Sequence, residues 1–193
     1  MALTKLNARS ASALDATILT GALPAISGAN LTGISAGISQ AQQWRINSSF
    51  TFSSAQDINT NWEISDSTAY GSLGSNLTQS SGVFTFPSTG YYLIMATFNF
   101  RRDAGSRAVA GMIFATTNNT DYVVVSTSET NNSDFGGGSN TTYQSNCDAI
   151  LDVTDTSNVK FKLRIEAATN DQTCDGDSGK NQTGFVCIRL GDT

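Results

Sequence analysis

The stretch from residue 82 to residue 100 constrains the fold of this chain more than any other. It contains a short aromatic run, the turn sequence Pro87-Ser88-Thr89-Gly90 and a long apolar run. Proline fixes φ in such a turn and glycine admits a positive φ, so this sequence predicts a tight connection. The flanks are rich in Phe, Tyr, Ile and Thr, which suit a pleated, half-buried surface. We therefore predict one strand at 83–86 and a second, central strand at 91–100, since the second is too apolar for a solvated edge.

Residues 41–193 show the same pattern, in which turn residues separate short apolar runs. Further strands are predicted at 43–52, 61–65, 107–116, 121–125, 141–153, 158–165 and 183–190. The segments 70–76, 126–140 and 170–181 are predicted to be loops. About ten short strands with turns between them are typical of an all-β sandwich or barrel.

The strand at 158–165 alternates most clearly. Its apolar residues, Val159, Phe161, Leu163 and Ile165, face one way, and its basic residues, Lys160, Lys162 and Arg164, face the other. Because successive side chains of a strand point to opposite faces, the apolar set is predicted to lie in the core. The large side chains that we expect to be buried are Phe84, Phe86, Tyr92, Phe161 and Phe185.

Residues 1–40 have a different composition, which indicates a separate segment. Lys5, Arg9 and Asp15 are its only charges, and residues 11–19 have the apolar spacing of a short helix. Forty residues of this kind cannot build a core of their own, yet they are too apolar for a solvated linker. We expect an irregular or short-helical anchor that binds another protein; a flexible tail is the alternative. The apolar side chains available for attachment are Leu19, Leu23, Ile26, Leu31 and Ile34.

Composition argues against several classes of function. Charged residues make up 14% of the chain, the net charge is −5, and Arg101-Arg102 is the only basic pair, which disfavours a nucleic-acid surface. No apolar run is long enough to span a bilayer, so membrane insertion is not expected. The first residues lack the apolar segment of a signal peptide, so we expect synthesis in a cytoplasm without signal-directed export. The chain has no histidine, which removes the usual general base, and we expect no enzymatic activity.

The cysteines and an acidic segment leave alternatives open. The three cysteines are either reduced thiols, with Cys187 a small core residue, or include a bridge between Cys147 and Cys174. Asp171, Asp175 and Asp177 supply carboxylate oxygens of the kind that calcium prefers. Their spacing differs from that of the common calcium-binding loop, so a solvated loop without a cofactor is the favoured interpretation.

Three segments occur in this order in the chain: the hairpin Gly82-x-Phe84-Thr85-Phe86-Pro87-x-x-Gly90-x-Tyr92, then 152–161, then 183–188. Together they resemble the complement-1q-like jelly roll, a relative of tumour necrosis factor. The resemblance covers about residues 44–192 and implies a ten-stranded, two-sheet jelly roll that assembles as a homotrimer. It also raises the idea of calcium, which some of these domains carry near the trimer apex. No Gly-x-y repeat precedes the domain, unlike in collagen-linked members. Instead, Ala29-Asn30-Leu31-Thr32-Gly33-Ile34 resembles phrases of tailed-bacteriophage fibre and virion proteins.

The resemblance implies a non-enzymatic phage virion protein made in the host cytoplasm. We expect a homotrimeric jelly roll joined by its N-terminal segment to a capsid or tail protein, as a capsid decoration or as a short tail fibre or spike. The alternative is a receptor- or glycan-binding module of a tail fibre that mediates host adsorption through its loops. A depolymerase would need a carboxylate pair in a groove, and nothing local in the sequence indicates one.

Overall fold

The computed structural model describes residues 37–102, 106–132, 141–167 and 172–193. The predicted attachment side chains, Leu19, Leu23, Ile26, Leu31 and Ile34, lie outside the described residues, and so does nearly all of the predicted segment 1–40. The division at residue 40 therefore stays a prediction. The described part contains no helix that is long and apolar enough to cross a membrane.

The described residues form an all-β sandwich of two antiparallel sheets, as predicted. Its strands are β1 (Ala41–Ile46), β2 (Ser48–Phe52), β3 (Gln56–Asp57), β4 (Trp62–Ile64), β5 (Thr78–Ser80), β6 (Val83–Thr85), β7 (Gly90–Arg102), β8 (Ser106–Thr116), β9 (Val123–Asn132), β10 (Thr141–Val153), β11 (Lys160–Ala167), β12 (Gln172–Asp177) and β13 (Gly184–Gly191).

The predicted central strand is the centre of the larger sheet. That sheet has seven strands in the order β2-β12-β7-β13-β1-β4, and β10 pairs with the other edge of β7 along its whole length. The smaller sheet has six strands in the order β5-β6-β11-β8-β9, with β3 paired to one end of β11. In consequence β9 and β10 lie at the same side of the sandwich, each with one edge that no other described strand pairs.

The core between the sheets is built from alternate residues of the predicted strands. In β7 the even-numbered residues from Tyr92 to Phe100 are buried, and in β11 the buried residues are Phe161, Leu163 and Ile165. The five aromatic side chains predicted for the core are all at most 3% exposed. The ring of Phe84 stacks on that of Phe161 with centroids 5.0 Å apart. Elsewhere in the core, Gly111 is required beside the Phe98 ring, because a Cβ atom at residue 111 would lie 2.2 Å from that ring.

Two predicted loops are wrong in part. The acidic segment 170–181 contains β12, which pairs with β2 and β7. The sequence of β12 shows no apolar alternation, because polar residues are among those it buries. Partners distant in sequence stabilise these buried polar residues. The predicted loop 126–140 begins as strand, since β9 continues to Asn132 against β8. The strand count exceeds ten because β3 and β5 are very short and residue 47 separates β1 from β2.

Candidate functional site

The outer face of the seven-stranded sheet carries a band of apolar side chains, which we call the sheet face. In register across the strands, Leu93 lies between Ile150 and Ile188, and Met95 lies between Val186 and the exposed Asp148. Tyr91 continues the band at the start of β7 and is 41% exposed, while Met95 is 39% and Ile150 62% exposed. A cluster of exposed apolar side chains bordered by polar residues is typical of an interaction surface.

Next to this band, uncharged polar side chains are already hydrogen-bonded to one another. Thr97 Oγ1 donates to Asn146 Oδ1 at 2.8 Å, and Gln144 Nε2 donates to Asn99 Oδ1 at 3.0 Å. Asn146 Nδ2 donates in turn to Gln144 Oε1 at 3.2 Å. Because these donors have partners within the sheet, covering them from water costs less than covering unpaired polar groups.

A second apolar surface, the valine edge, consists of Val123, Val124 and Val125 at the start of β9. These side chains are 61%, 51% and 43% exposed although they follow one another directly. The register of β9 on β8 shifts here, so a bulge leaves Val125 without a partner on β8 and turns neighbouring side chains outward. An exposed apolar edge strand of this kind is a typical site of association with another chain.

Behind the valine edge lies an open cavity of about 440 Å³ between β9 and β10. Its apolar wall comes from Ala115, Val123, Val125, Ile150, Leu151 and Val159, and its polar rim includes Asn118, Asp121 and Asp152. Ile150 belongs both to this cavity and to the sheet face, so the two apolar surfaces meet at β10. Sequence reasoning did not identify this arrangement, because it depends on register and on which strand forms the edge.

Arg45 is the largest fully buried side chain, and it holds two loops together. Its Nε donates to Glu63 Oε1 at 2.7 Å, its Nη1 to Ser67 Oγ at 2.9 Å and its Nη2 to Asp66 Oδ1 at 2.6 Å. A further hydrogen bond joins Nη2 to the backbone carbonyl of Ser178. A planar guanidinium group can donate several hydrogen bonds in fixed directions. Arg45 therefore holds the loop after β4 against the loop after β12.

The predicted calcium ligands do not form a cluster among the residues that the structure describes. Asp175 is 6% exposed and forms an ion pair with Arg101 at 3.0 Å. Asp177 accepts a hydrogen bond from the backbone N–H of Gly179 at 2.7 Å, and this bond, with nearby Lys180, lowers the pKa of the Asp177 carboxyl. Asp171 lies outside the described residues. No group of three potential metal ligands occurs in the described ranges, and calcium binding stays a prediction.

The three cysteines are free thiols, so the alternative of a bridge between Cys147 and Cys174 is wrong. Each lies in the core, where Cys147 Sγ contacts the Gly111 carbonyl oxygen at 3.7 Å and Cys174 Sγ contacts Thr183 Oγ1 at 3.6 Å. Burial raises the pKa of Cys147 to about 11 and that of Cys174 to about 12. Burial likewise raises the pKa of Cys187 to about 12. These thiols act as small core side chains.

The outer face of the six-stranded sheet has a different chemistry, because β11 presents its basic residues there. Lys162 Nζ lies 2.7 Å from Asp57 Oδ2 and 4.4 Å from the centroid of the Tyr122 ring. Arg164 Nη1 lies 3.2 Å from Asp57 Oδ1, with its guanidinium carbon 5.6 Å from the centroid of the Phe114 ring. Burial, and then the charge of Asp57, raise the pKa of Tyr122.

Comparison with known proteins identifies the fold. No protein-family model and no curated protein sequence match this chain. The structure of Eiger TNF from S. frugiperda matches with a TM-score of 0.57 and 14% identity, over 79% of this chain and 93% of the other. Murine APRIL at pH 8.5 matches with a TM-score of 0.54 and 9% identity, over 78% and 98% of the two chains. These similarities confirm a TNF-like jelly roll, and at such low identity they show the fold alone.

Proposed function

We propose that this chain is a non-enzymatic structural protein of a phage particle that assembles as a homotrimer through the sheet face and the valine edge. Residues 1–40 attach the trimer to a capsid or tail protein, either as a capsid decoration or as a short tail fibre or spike. The observation that carries the proposal is the presence of two different exposed apolar surfaces on one jelly roll. The phage assignment is supported by the sequence phrase at 29–34.

Two unlike surfaces favour a cyclic assembly over a two-fold dimer. A two-fold interface uses the same patch on both partners, whereas contact of one patch with a different patch is heterologous and either closes into a ring or grows into a fibre. The sheet face extends over three strands, β7, β10 and β13, whereas the valine edge is a short part of β9, so we place the edge of one protomer against the face of the next. The resemblance to trimeric jelly rolls favours closure at three subunits.

The attachment role follows from the composition of residues 1–40. With three charged residues in this segment, its burial against another protein desolvates few ionic groups. A trimer presents three copies of the segment together, so weak single contacts gain from multivalency. The proposed attachment is side-chain burial together with strand or loop pairing, and it involves no chemical step.

The heterologous contact can be tested by light scattering after size exclusion of the full chain. The wild type should have three times the chain mass of 20.3 kDa. Met95→Asp on the sheet face and Val124→Asp on the valine edge should each abolish the trimer, because a carboxylate would be desolvated in the contact. Ser80→Asp adds the same charge on exposed β5 and should leave the trimer intact.

Mixing the two disrupted variants distinguishes this contact from a two-fold one. The Met95→Asp chain keeps its valine edge and the Val124→Asp chain keeps its sheet face, so the pair can form one sound contact but cannot close a ring. A species of two chains is expected, and a restored trimer would contradict the arrangement. Wild-type protein that stays monomeric at micromolar concentration would refute the proposed assembly itself.

The second candidate function is a receptor- or glycan-binding module of a tail fibre. The observation in its favour is the group of basic and aromatic side chains on the outer face of the six-stranded sheet.

A further inference from the structure

The cavity between β9 and β10 is an opening in the core of the sandwich. Its floor consists of Ala115, Leu151 and Val159, which are 7%, 8% and 3% exposed and belong to the packed core between the sheets. Val123 lies opposite Ala115 in the register of β9 on β8, and directly opposed residues of a strand pair face the same side. Val123 therefore faces the core, yet it is 61% exposed, because no other side chain in the described part of the chain covers it.

The walls and the rim of the cavity indicate the chemistry of a side chain that would fill it. Val125 and Ile150 form apolar walls, while the carboxylates of Asp121 and Asp152 lie at the rim. The volume of about 440 Å³ is ample for an aromatic ring, since an apolar cavity of about 150 Å³ holds benzene. Asp121 Oδ2 accepts a hydrogen bond from Asn118 Nδ2 at 2.7 Å, and a carboxylate has room for further donors. A ring that ends in a hydroxyl donor, as in tyrosine, matches both the walls and the rim.

Tyr91 is the tyrosine that the proposed assembly brings to this cavity. It belongs to the sheet face, is 41% exposed and does not line the cavity of its own chain. The valine edge lies lengthwise on the sheet face of the next protomer when the strands run along the axis of the ring. A rotation about that axis leaves the height of every residue along it unchanged. Because Tyr91 pairs with Asp152 across β7 and β10, Tyr91 of the next protomer lies at the height of the rim that contains Asp152.

We propose that Tyr91 of one protomer inserts its ring into the cavity of the next and completes the core there. The ring packs against Val123, Val125 and Ile150, and the hydroxyl donates a hydrogen bond to a carboxylate of the rim. The inference rests on the proposed function in one respect, which is the contact of the valine edge with the sheet face, and it adds the side chain that anchors this contact. An aromatic side chain that fills a pocket is the usual anchor of a protein interface.

The first test measures assembly of the full-length chain by light scattering over a range of protein concentrations. Tyr91→Ala should raise the concentration at which half of the chains are trimeric at least about thirtyfold, because truncating an aromatic anchor weakens a contact by that factor or more. Tyr91→Phe keeps the ring and removes the hydroxyl, so it should raise the same concentration about fivefold to tenfold. Thermal melting of each variant checks that the jelly roll itself stays folded.

The second test locates the ring by chemical cross-linking. Chains that carry Tyr91→Cys are co-expressed with chains that carry Val123→Cys, so a link between the new cysteines must join two chains. A short bismaleimide, whose span is close to the length of a tyrosine side chain, should link the two variants in high yield. The native cysteines are buried and should not react. Thr142→Cys is the matched control, because it is exposed at the end of β10 far from Asp152, and it should give no link to Val123→Cys.

The outcomes separate this inference from the proposed assembly. A wild-type trimer that Tyr91→Ala weakens less than about threefold refutes the insertion and leaves the assembly standing. Linkage of Thr142→Cys as readily as Tyr91→Cys has the same consequence, since the two chains would then meet at a different height. A wild-type chain that stays monomeric at micromolar concentration refutes the assembly and the insertion together.

Discussion

Replacing Arg45 by methionine tests whether the buried guanidinium organises one end of the jelly roll. The side chain of Arg45 is 0% exposed, and its partners differ widely in exposure, since Glu63 is 26% and Asp66 79% exposed. Removing one member of a buried ion pair usually costs about 3–5 kcal/mol, because the partner is left uncompensated. Here both carboxylates can regain water, while the Ser178 carbonyl and Ser67 hydroxyl lose a donor. We therefore expect the lower end, about 3 kcal/mol.

The measurement is urea unfolding at a fixed protomer concentration, since the stability of an oligomer depends on concentration. Arg45→Lys should recover only part of the loss, because an ammonium group cannot reproduce the guanidinium fork. Adding Glu63→Gln to Arg45→Met should restore stability relative to Arg45→Met alone, since it removes the uncompensated charge. Lys180→Met is the control, as that ion pair lies on the surface.

Two results would refute the reasoning about Arg45. A loss below about 1 kcal/mol for Arg45→Met would place its bonds in the range of surface ion pairs. Independent, additive effects of Arg45→Met and Glu63→Gln would show that the two side chains are not energetically coupled.

Three further predictions concern the core and the N-terminal segment. Phe161→Ala should cost about 3–5 kcal/mol in urea unfolding, and a loss below about 1 kcal/mol would contradict the alternation of β11. The thiols of the native protein should react far more slowly with a disulfide reagent at pH 8 than those of the unfolded protein, and fast labelling of the native protein would contradict their burial. The free energy of unfolding should fall as the pH rises above 9, because unfolded thiols ionise there while burial keeps the pKa of native Cys147 at about 11. Deleting residues 2–40 should leave a homotrimer that no longer binds particles lacking the protein. If the truncated protein decorates particles normally, the attachment surface lies in the jelly roll.

The sequence predicted the fold correctly in segments where buried and exposed side chains alternate along a strand. The hairpin at 82–100 and the alternation at 158–165 correspond to β6, β7 and β11, because one face of each strand packs in the core. β12 was not predicted because two of its three buried residues, Gln172 and Asp175, are polar. Gln172 and Asp175 are buried through partners on other strands, and Asp175 needs Arg101 from β7. No local pattern can report such distant pairing.

The interaction surfaces were harder to predict for a related reason. Leu93, Ile150 and Ile188 are far apart in sequence, and only the register of β7, β10 and β13 brings them into one row. The run of valines at 123–125 predicted a strand, but the sequence did not indicate that this strand would form an edge with its valines exposed. By contrast, the shared face of Lys160, Lys162 and Arg164 was predicted from β11 itself, because alternation alone determines which side chains of a strand share a face.

The two outer faces of the sandwich differ in chemistry, and this difference indicates which face the proposed assembly covers. On the face of the seven-stranded sheet, apolar rows lie beside amides that bond to one another, and the charges are confined to the β10 side, where Asp148 and Asp152 are in register with Met95 and Tyr91. The face of the six-stranded sheet instead carries Lys160, Lys162 and Arg164 together with the carboxylates of Asp57, Glu129 and Glu166, so covering it would desolvate many charged groups. The proposed assembly therefore covers the first face and leaves the second toward solvent.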